Sequence, residues 1–108
     1  MSEDFLVSAK ELKRLLDSGA RIHLIDVREP FEFENCHLEG SKLMPIGQIQ
    51  NRVNEFKPDE EYVFYCHVGE RSWQVVDYLR RLGFNKVRNL EGGIDQWALD
   101  VDPSIPRY

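Results

Sequence analysis

Residues 62–72 read Tyr62-Val63-Phe64-Tyr65-Cys66-His67-Val68-Gly69-Glu70-Arg71-Ser72, or YVFYCHVGERS. The unbroken run Tyr62-Val63-Phe64-Tyr65 has the length and the aromatic, β-branched character of a buried strand. It stops at a cysteine. A short polar loop with one glycine comes next. Val75, Val76, Leu79 and Leu82 then recur at helical spacing up to Gly83. The stretch predicts strand, tight turn and helix in direct succession, with a thiol at the strand end and under the helix start.

The flanking sequence extends the alternation. Ser8-Ala9-Lys10-Glu11 has capping-box spacing, Leu12, Leu15 and Leu16 form an apolar stripe, and Gly19 is placed to stop that helix. Ile22-His23-Leu24-Ile25 reads as a buried strand running into Asp26-Val27-Arg28-Glu29, and Pro30 opens a short helix through Phe33 and Glu34. Lys42-Leu43-Met44 is a short strand. Ile46, Ile49, Val53 and Phe56 predict a further amphipathic helix, and residues 57–61 a polar turn. Residues 86–90 form the last strand, Glu91-Gly92-Gly93 a turn, and residues 94–99 a short helix carrying Trp97. From about Asp100 the tail, with two prolines, is irregular. This order predicts an α/β fold: one small, mainly parallel sheet with helices on both faces, in a single domain over residues 1–108. Ligands of such sheets bind beyond the carboxyl ends of the strands. That rule selects Asp26-Val27-Arg28, the Cys66 loop and Glu91-Gly92-Gly93 as one rim.

Composition narrows the function classes. A chain of 108 residues, 42% hydrophobic and 31% charged, suits one globular core. The net charge is -5, and Lys13-Arg14 and Arg80-Arg81 are the only adjacent basic pairs, so nucleic acid is not an expected partner. No apolar run reaches the roughly 20 residues of a membrane helix. Met1-Ser2-Glu3-Asp4-Phe5 lacks the basic start of a signal peptide. The expected location is cytoplasmic, where Cys36 and Cys66 are free thiols rather than a disulfide. Oligomeric state is not legible.

The loop carries the chemistry. A helix N-terminus bears partial positive charge, and successive amides of a tight turn form an anion-binding nest. Gly69 permits a left-handed backbone angle there, and Arg71 adds a full charge. These features favour the thiolate, the nucleophilic form of cysteine. Two chemistries ask for such a thiol: cysteine-dependent phosphatase or arsenate reductase chemistry, and sulfur transfer. Phosphatase loops wrap a tetrahedral anion with the pattern Cys-x5-Arg, whereas four residues separate Cys66 from Arg71. The shorter ring of amides suits a smaller anion, such as the terminal sulfur of a persulfide. Two further alternatives stand beside these: a cysteine that only packs at the strand end, and a non-catalytic module that binds a protein.

Over nearly its whole length the chain resembles the single-domain rhodanese-like sulfurtransferases. The matching motifs are Leu24-Ile25-Asp26-Val27-Arg28-Glu29, Glu32-Phe33, His37-Leu38-Glu39-Gly40-Ser41, Tyr65-Cys66-x-x-Gly69-x-Arg71-Ser72, Leu82-Gly83-Phe84 and Leu90-x-Gly92-Gly93-Ile94-x-x-Trp97. The resemblance implies that Cys66 takes a sulfane sulfur from a small donor and carries it as a persulfide held by the amides of residues 67 to 71. A cyanide, thiol or protein acceptor then removes it. It implies no metal and no organic cofactor. Cys36, where the family often has glycine, and Asp100 depart from the pattern.

Several residues beyond Cys66 are candidates. His67, Val68, Gly69, Glu70 and Arg71 are expected to line the substrate, with Arg28 binding an anionic donor. Asp26 and Ser72 are supporting residues, Asp26 either orienting Arg71 or the loop backbone or serving the fold. Glu70 opposes a dianion such as thiosulfate, so weak thiosulfate turnover is expected. Trp73 is placed to wall the pocket or to pack in the core, and Trp97 to pack in the core. At most one of Phe31 and Phe33 is expected to be fully buried. Cys36 precedes the strand near Leu43, so it is expected toward the opposite end of the sheet from Cys66, and inert.

Overall fold

In the computed structural model, which describes residues 3–108, five strands form one sheet: β1 (Leu6–Val7), β2 (Ile22–Asp26), β3 (Lys42–Leu43), β4 (Glu61–Tyr65) and β5 (Val87–Leu90). Met1 and Ser2, part of the stretch read for a targeting signal, lie outside the described residues. The strand order is β1-β5-β4-β2-β3, and every pairing is parallel. Three α-helices connect strands, α1 (Ala9–Asp17), α2 (Pro30–Asn35) and α3 (Glu70–Arg81), and a fourth, α4 (Gly93–Asp100), follows β5. No helix among the described residues is long and apolar enough to cross a membrane.

The apolar run of β4 is explained by its central place. Tyr62 and Phe64 pack on one face with Val75, Val76 and Leu79 of α3, and Val63 and Tyr65 pack on the other with Leu12 of α1 and Ile94 and Trp97 of α4. A parallel strand covered on both sides has no polar face to show, hence no alternation. The Ser8 hydroxyl accepts from the Glu11 N–H and caps α1, and Gly19 beyond its end has φ 85°.

The structure departs from the sequence-based expectation in four places. β1 pairs with β5 and was not foreseen, because two residues carry no periodicity. Residues 46–56 form two 3-10 turns, Ile46–Gln48 and Gln50–Glu55, not an α-helix. The i, i+3 pairs Ile46–Ile49 and Val53–Phe56 fit three residues per turn as well as 3.6. Leu82, assigned to the apolar stripe of α3, is exposed. In α2 the expectation of at most one fully buried phenylalanine is met: Phe31 is exposed, and Phe33 stacks on His37 with ring centroids 3.8 Å apart. Cys36 does not sit at the far end of the sheet. Its carbonyl accepts from Arg28 Nη2, which also binds Asp26 at the carboxyl end of β2. The reason is register: β3 pairs with Ile25 and Asp26, so it starts where β2 ends and no strand length separates Cys36 from the rim.

Candidate active site

Cys66 directly follows β4, and its sulfur lies under the loop. Sγ accepts the Gly69 N–H at 3.1 Å and the Ser72 N–H at 3.4 Å, and Ser72 Oγ lies 3.3 Å away. Gly69 takes φ 107°, the left-handed backbone that turns its amide onto the sulfur. The N–H groups of His67, Val68, Glu70 and Arg71 have no acceptor among the described residues. They are the open donors of a helix start and the turn before it. Cys66 itself is 1% exposed. A shallow pocket beside the loop is lined by Val68, Gly69, Glu70, Trp73, Asn89 and Gly92. Trp73 walls it while packing its other side on the core.

The loop is held from three directions. From β2, the Val27 N–H donates to the Tyr65 carbonyl at 3.0 Å. From α4, the Ile94 and Asp95 N–H groups donate to the carbonyls of Cys66 and His67 at 2.9 and 3.0 Å. Gly93 permits this docking, since a Cβ there would fall on those same two carbonyls. From β5, buried Asn89 donates to the Gly69 carbonyl at 3.1 Å and accepts from the Ser72 hydroxyl at 2.5 Å. The three rim segments selected from the sequence therefore meet.

Arg71 does not reach over the sulfur. Its guanidinium donates to both carboxylate oxygens of Glu32 in α2, at 2.7 and 3.0 Å. The Glu29 N–H also donates to Glu32, and so does the Tyr108 hydroxyl at 2.8 Å. The Arg71 hydrogen bonds outweigh burial and hold the Glu32 carboxyl down at about 2. The same pair raises Arg71. Tyr108 in turn accepts from Arg28 Nη1 at 2.6 Å, and its ring stacks on His67 with centroids 4.0 Å apart. Burial pushes its hydroxyl up to about 12; Arg28 pulls the other way and Glu32 adds to the rise. The result is an alternating relay, Arg28 to Tyr108 to Glu32 to Arg71.

Arg28 is not the donor-binding group that its place on the rim predicts. It is 0% exposed, donates through Nε and Nη2 to Asp26, and lies 5.7 Å above the rings of Tyr65 and Tyr108. Burial opposes its charge, but the hydrogen bonds to Asp26 and Tyr108 prevail and raise its pKa. A guanidinium enclosed in this way is not presented to a donor molecule. Asp26 pairs with Arg28 and does not orient Arg71; Glu32 does that. Glu70 and Val68 are exposed on the loop. His67, expected to line the substrate, has its ring covered by Tyr108.

Sequence reasoning thus missed Glu32, Asn89 and Tyr108 as parts of the site. Asn89 left a signal: a polar residue inside a strand between apolar Val87 and Leu90. Glu32 appeared only as a motif residue, and Tyr108 gave no signal at all.

A protein-family model, the rhodanese-like domain, matches residues 8–100. The chain belongs to that family. A sulfurtransferase of Allochromatium vinosum is 33% identical to this rhodanese-like domain over 92 residues, covering 85% of this chain and 86% of that one. A chloroplastic rhodanese-like/PpiC domain-containing protein of Arabidopsis thaliana is 43% identical over 89 residues, covering 79% of this chain and 30% of that one. The solved structure of the human single-domain sulfurtransferase TSTD1 superimposes with a TM-score of 0.79 at 28% identity, covering 89% of this chain and 96% of that one. The chain spans between 26% and 62% of the length of the first curated relatives it matches. Tyr108 lies beyond the matched span of the rhodanese-like domain.

Proposed function

We propose that this chain is a sulfurtransferase in which Cys66 carries a sulfane sulfur as a persulfide. The observation that carries this reading is the set of donors around Cys66: two N–H groups on Sγ and four more without an acceptor among the described residues. The Cys66 thiolate attacks the sulfane sulfur of thiosulfate or a low-molecular-weight persulfide. The donor's S–S bond breaks, sulfite or a thiolate leaves, and a Cys66 persulfide forms. A nucleophilic acceptor, such as cyanide, a thiol or a partner protein, then attacks the terminal sulfur, and Cys66 leaves as the thiolate. Electrons balance without an external oxidant. The open amides of residues 67, 68, 70 and 71 stabilise the negative terminal sulfur.

Burial supports transfer of a single atom: a cysteine 1% exposed admits a small terminal group more readily than a bulky ester. The shorter loop speaks against phosphatase chemistry for the same reason. Arg71 braces the loop through Glu32 while its charge stays beside it. Exposed Glu70 repels a dianion, so thiosulfate is a poor donor. Glu70→Ala is expected to lower the KM for thiosulfate, and an unchanged KM removes Glu70 from donor selection. The reading places the protein in the cytoplasm, where a reactive thiol persists reduced.

The deciding experiment is intact mass after incubation with thiosulfate, and separately with a low-molecular-weight persulfide, for wild type and Cys66→Ala. The expected result is one added sulfur atom, removed by cyanide and absent from the variant. No added sulfur from either donor leaves a protein donor as the remaining source and moves the reading toward a protein-recognition module.

A further inference from the structure

The hydrogen bonds around Asn89 fix the position of one proton. The Gly69 carbonyl can only accept, so the group 3.1 Å from it is the Asn89 amide nitrogen. That turns Asn89 Oδ1, a pure acceptor, toward Ser72 Oγ at 2.5 Å. The Ser72 hydroxyl has one proton and gives it to Asn89. The same oxygen lies 3.3 Å from Cys66 Sγ. With its proton on the Asn89 side, Oγ faces the sulfur with a lone pair and accepts from the Cys66 S–H. A thiolate has no proton to offer. The hydroxyl must then turn its proton from Asn89 to sulfur, or leave lone pairs in contact. Asn89, Ser72 and Cys66 are 2%, 0% and 1% exposed, so solvent does not stand in for the lost bond.

We propose that Asn89 is a positioning residue that sets the direction of the Ser72 hydroxyl and, through it, the readiness of Cys66 to ionise. The proposal deepens the sulfur-transfer reading and rests on it only in taking Cys66 as the nucleophile. On ionisation the Cys66 proton passes to water. Ser72 keeps its own proton, breaks its hydrogen bond to Asn89 Oδ1 and makes one to sulfur. Asn89 therefore favours the thiol form, while the Gly69 and Ser72 N–H groups favour the thiolate. The charged or titratable groups packed around the loop are Arg71 with Glu32, Glu70, His67, Tyr108, Glu91 after β5, and Asp95 of α4 paired with Arg107. A substitution at position 89 leaves them in place.

The test is the pH dependence of Cys66 alkylation by iodoacetamide, with Cys36→Ser in every sample so that one thiol reports. Asn89→Leu keeps the volume and removes the acceptor. The midpoint is expected to move to lower pH by about one unit, the size of one hydrogen bond to a charged group. In a Ser72→Ala background the same substitution is expected to move nothing, since no hydroxyl is left to redirect. A midpoint unchanged or raised by Asn89→Leu, or a shift that persists without Ser72, overturns the proposal. Because Asn89 also ties down the Gly69 carbonyl, a second measurement leaves it intact: its side-chain amide NMR resonances across the Cys66 titration. They are expected to follow the ionisation in wild type and largely to lose that response in Ser72→Ala. Equal responses in both proteins overturn it. Neither readout requires sulfur transfer, so failure here and failure of the persulfide test are separate results.

Discussion

Glu32 concentrates the electrostatics of the site in one side chain. It accepts from Arg71, Glu29 and Tyr108 while 8% exposed. A carboxyl held at about 2 in the folded state contributes stability that is fully present above about pH 4.5, where the unfolded group is also ionised. That stability is lost as pH falls toward 2. Glu32→Gln is therefore expected to cost about 2 kcal/mol at pH 7 and almost nothing near pH 2, as read from urea midpoints of both proteins at the two pH values. A gap of constant size at both would show that the ion pair with Arg71 is not its source.

Among elements, α4 and the tail decide whether the loop keeps its shape. The N-terminal N–H groups of α4 are used on the Cys66 and His67 carbonyls. Gly93, at φ 62°, has no room for a Cβ, whereas Gly19, at φ 85°, has nothing within 4 Å. Both positions penalise a side chain through backbone angle, by about 1 kcal/mol. Only Gly93→Ala adds a clash with loop backbone. Gly93→Ala is expected to destabilise by at least about 2 kcal/mol more than Gly19→Ala in thermal unfolding, and to slow Cys66 alkylation or transfer disproportionately. The tail is a second clamp. Tyr108→Ala removes the stack on His67 and deprives buried Arg28 of one acceptor, a loss of about 1–3 kcal/mol. Tyr108→Phe keeps the ring and loses only the hydroxyl bonds. If closure over His67 matters, cyanide should discharge the persulfide faster in Tyr108→Ala than in Tyr108→Phe; equal rates would confine Tyr108 to bracing Arg28 and Glu32.

At the scale of the whole molecule, stability and site share one strand. β4 lies between β2 and β5, with Phe64 fully buried beside Ile25 and Asn89. Phe64→Ala is expected to cost about 3–5 kcal/mol in denaturant unfolding, against less than about 0.5 kcal/mol for Phe31→Ala, whose ring is 72% exposed. Comparable losses would contradict the two-sided core. The same burial sets the Cys66 loop on a rigid base, since Tyr65, immediately before Cys66, anchors the Leu38–Ser41 turn through its hydroxyl. A parallel sheet collects its strand ends on one side, and that is why segments far apart in the chain meet around one sulfur.

What the sequence determined by itself was local. The β4 run, the Gly69 turn, the start of α3 and the glycines after β5 each follow from neighbouring residues, through strand burial, backbone angle and helix-end geometry. These were enough to identify an α/β fold with a cysteine at a helix start. Tertiary structure alone decided the partners. Arg71 finds Glu32 39 positions away, Tyr108 reaches it from 76, and Asn89 meets Ser72 from 17. Arg28, plausible as a binding group by charge and position, is enclosed by Asp26, the Cys36 carbonyl and Tyr108. Charge and spacing along a chain do not record which opposite charge the packing brings near. That depends on strand order and register, through which β3 begins beside the end of β2 and the tail comes to rest on His67.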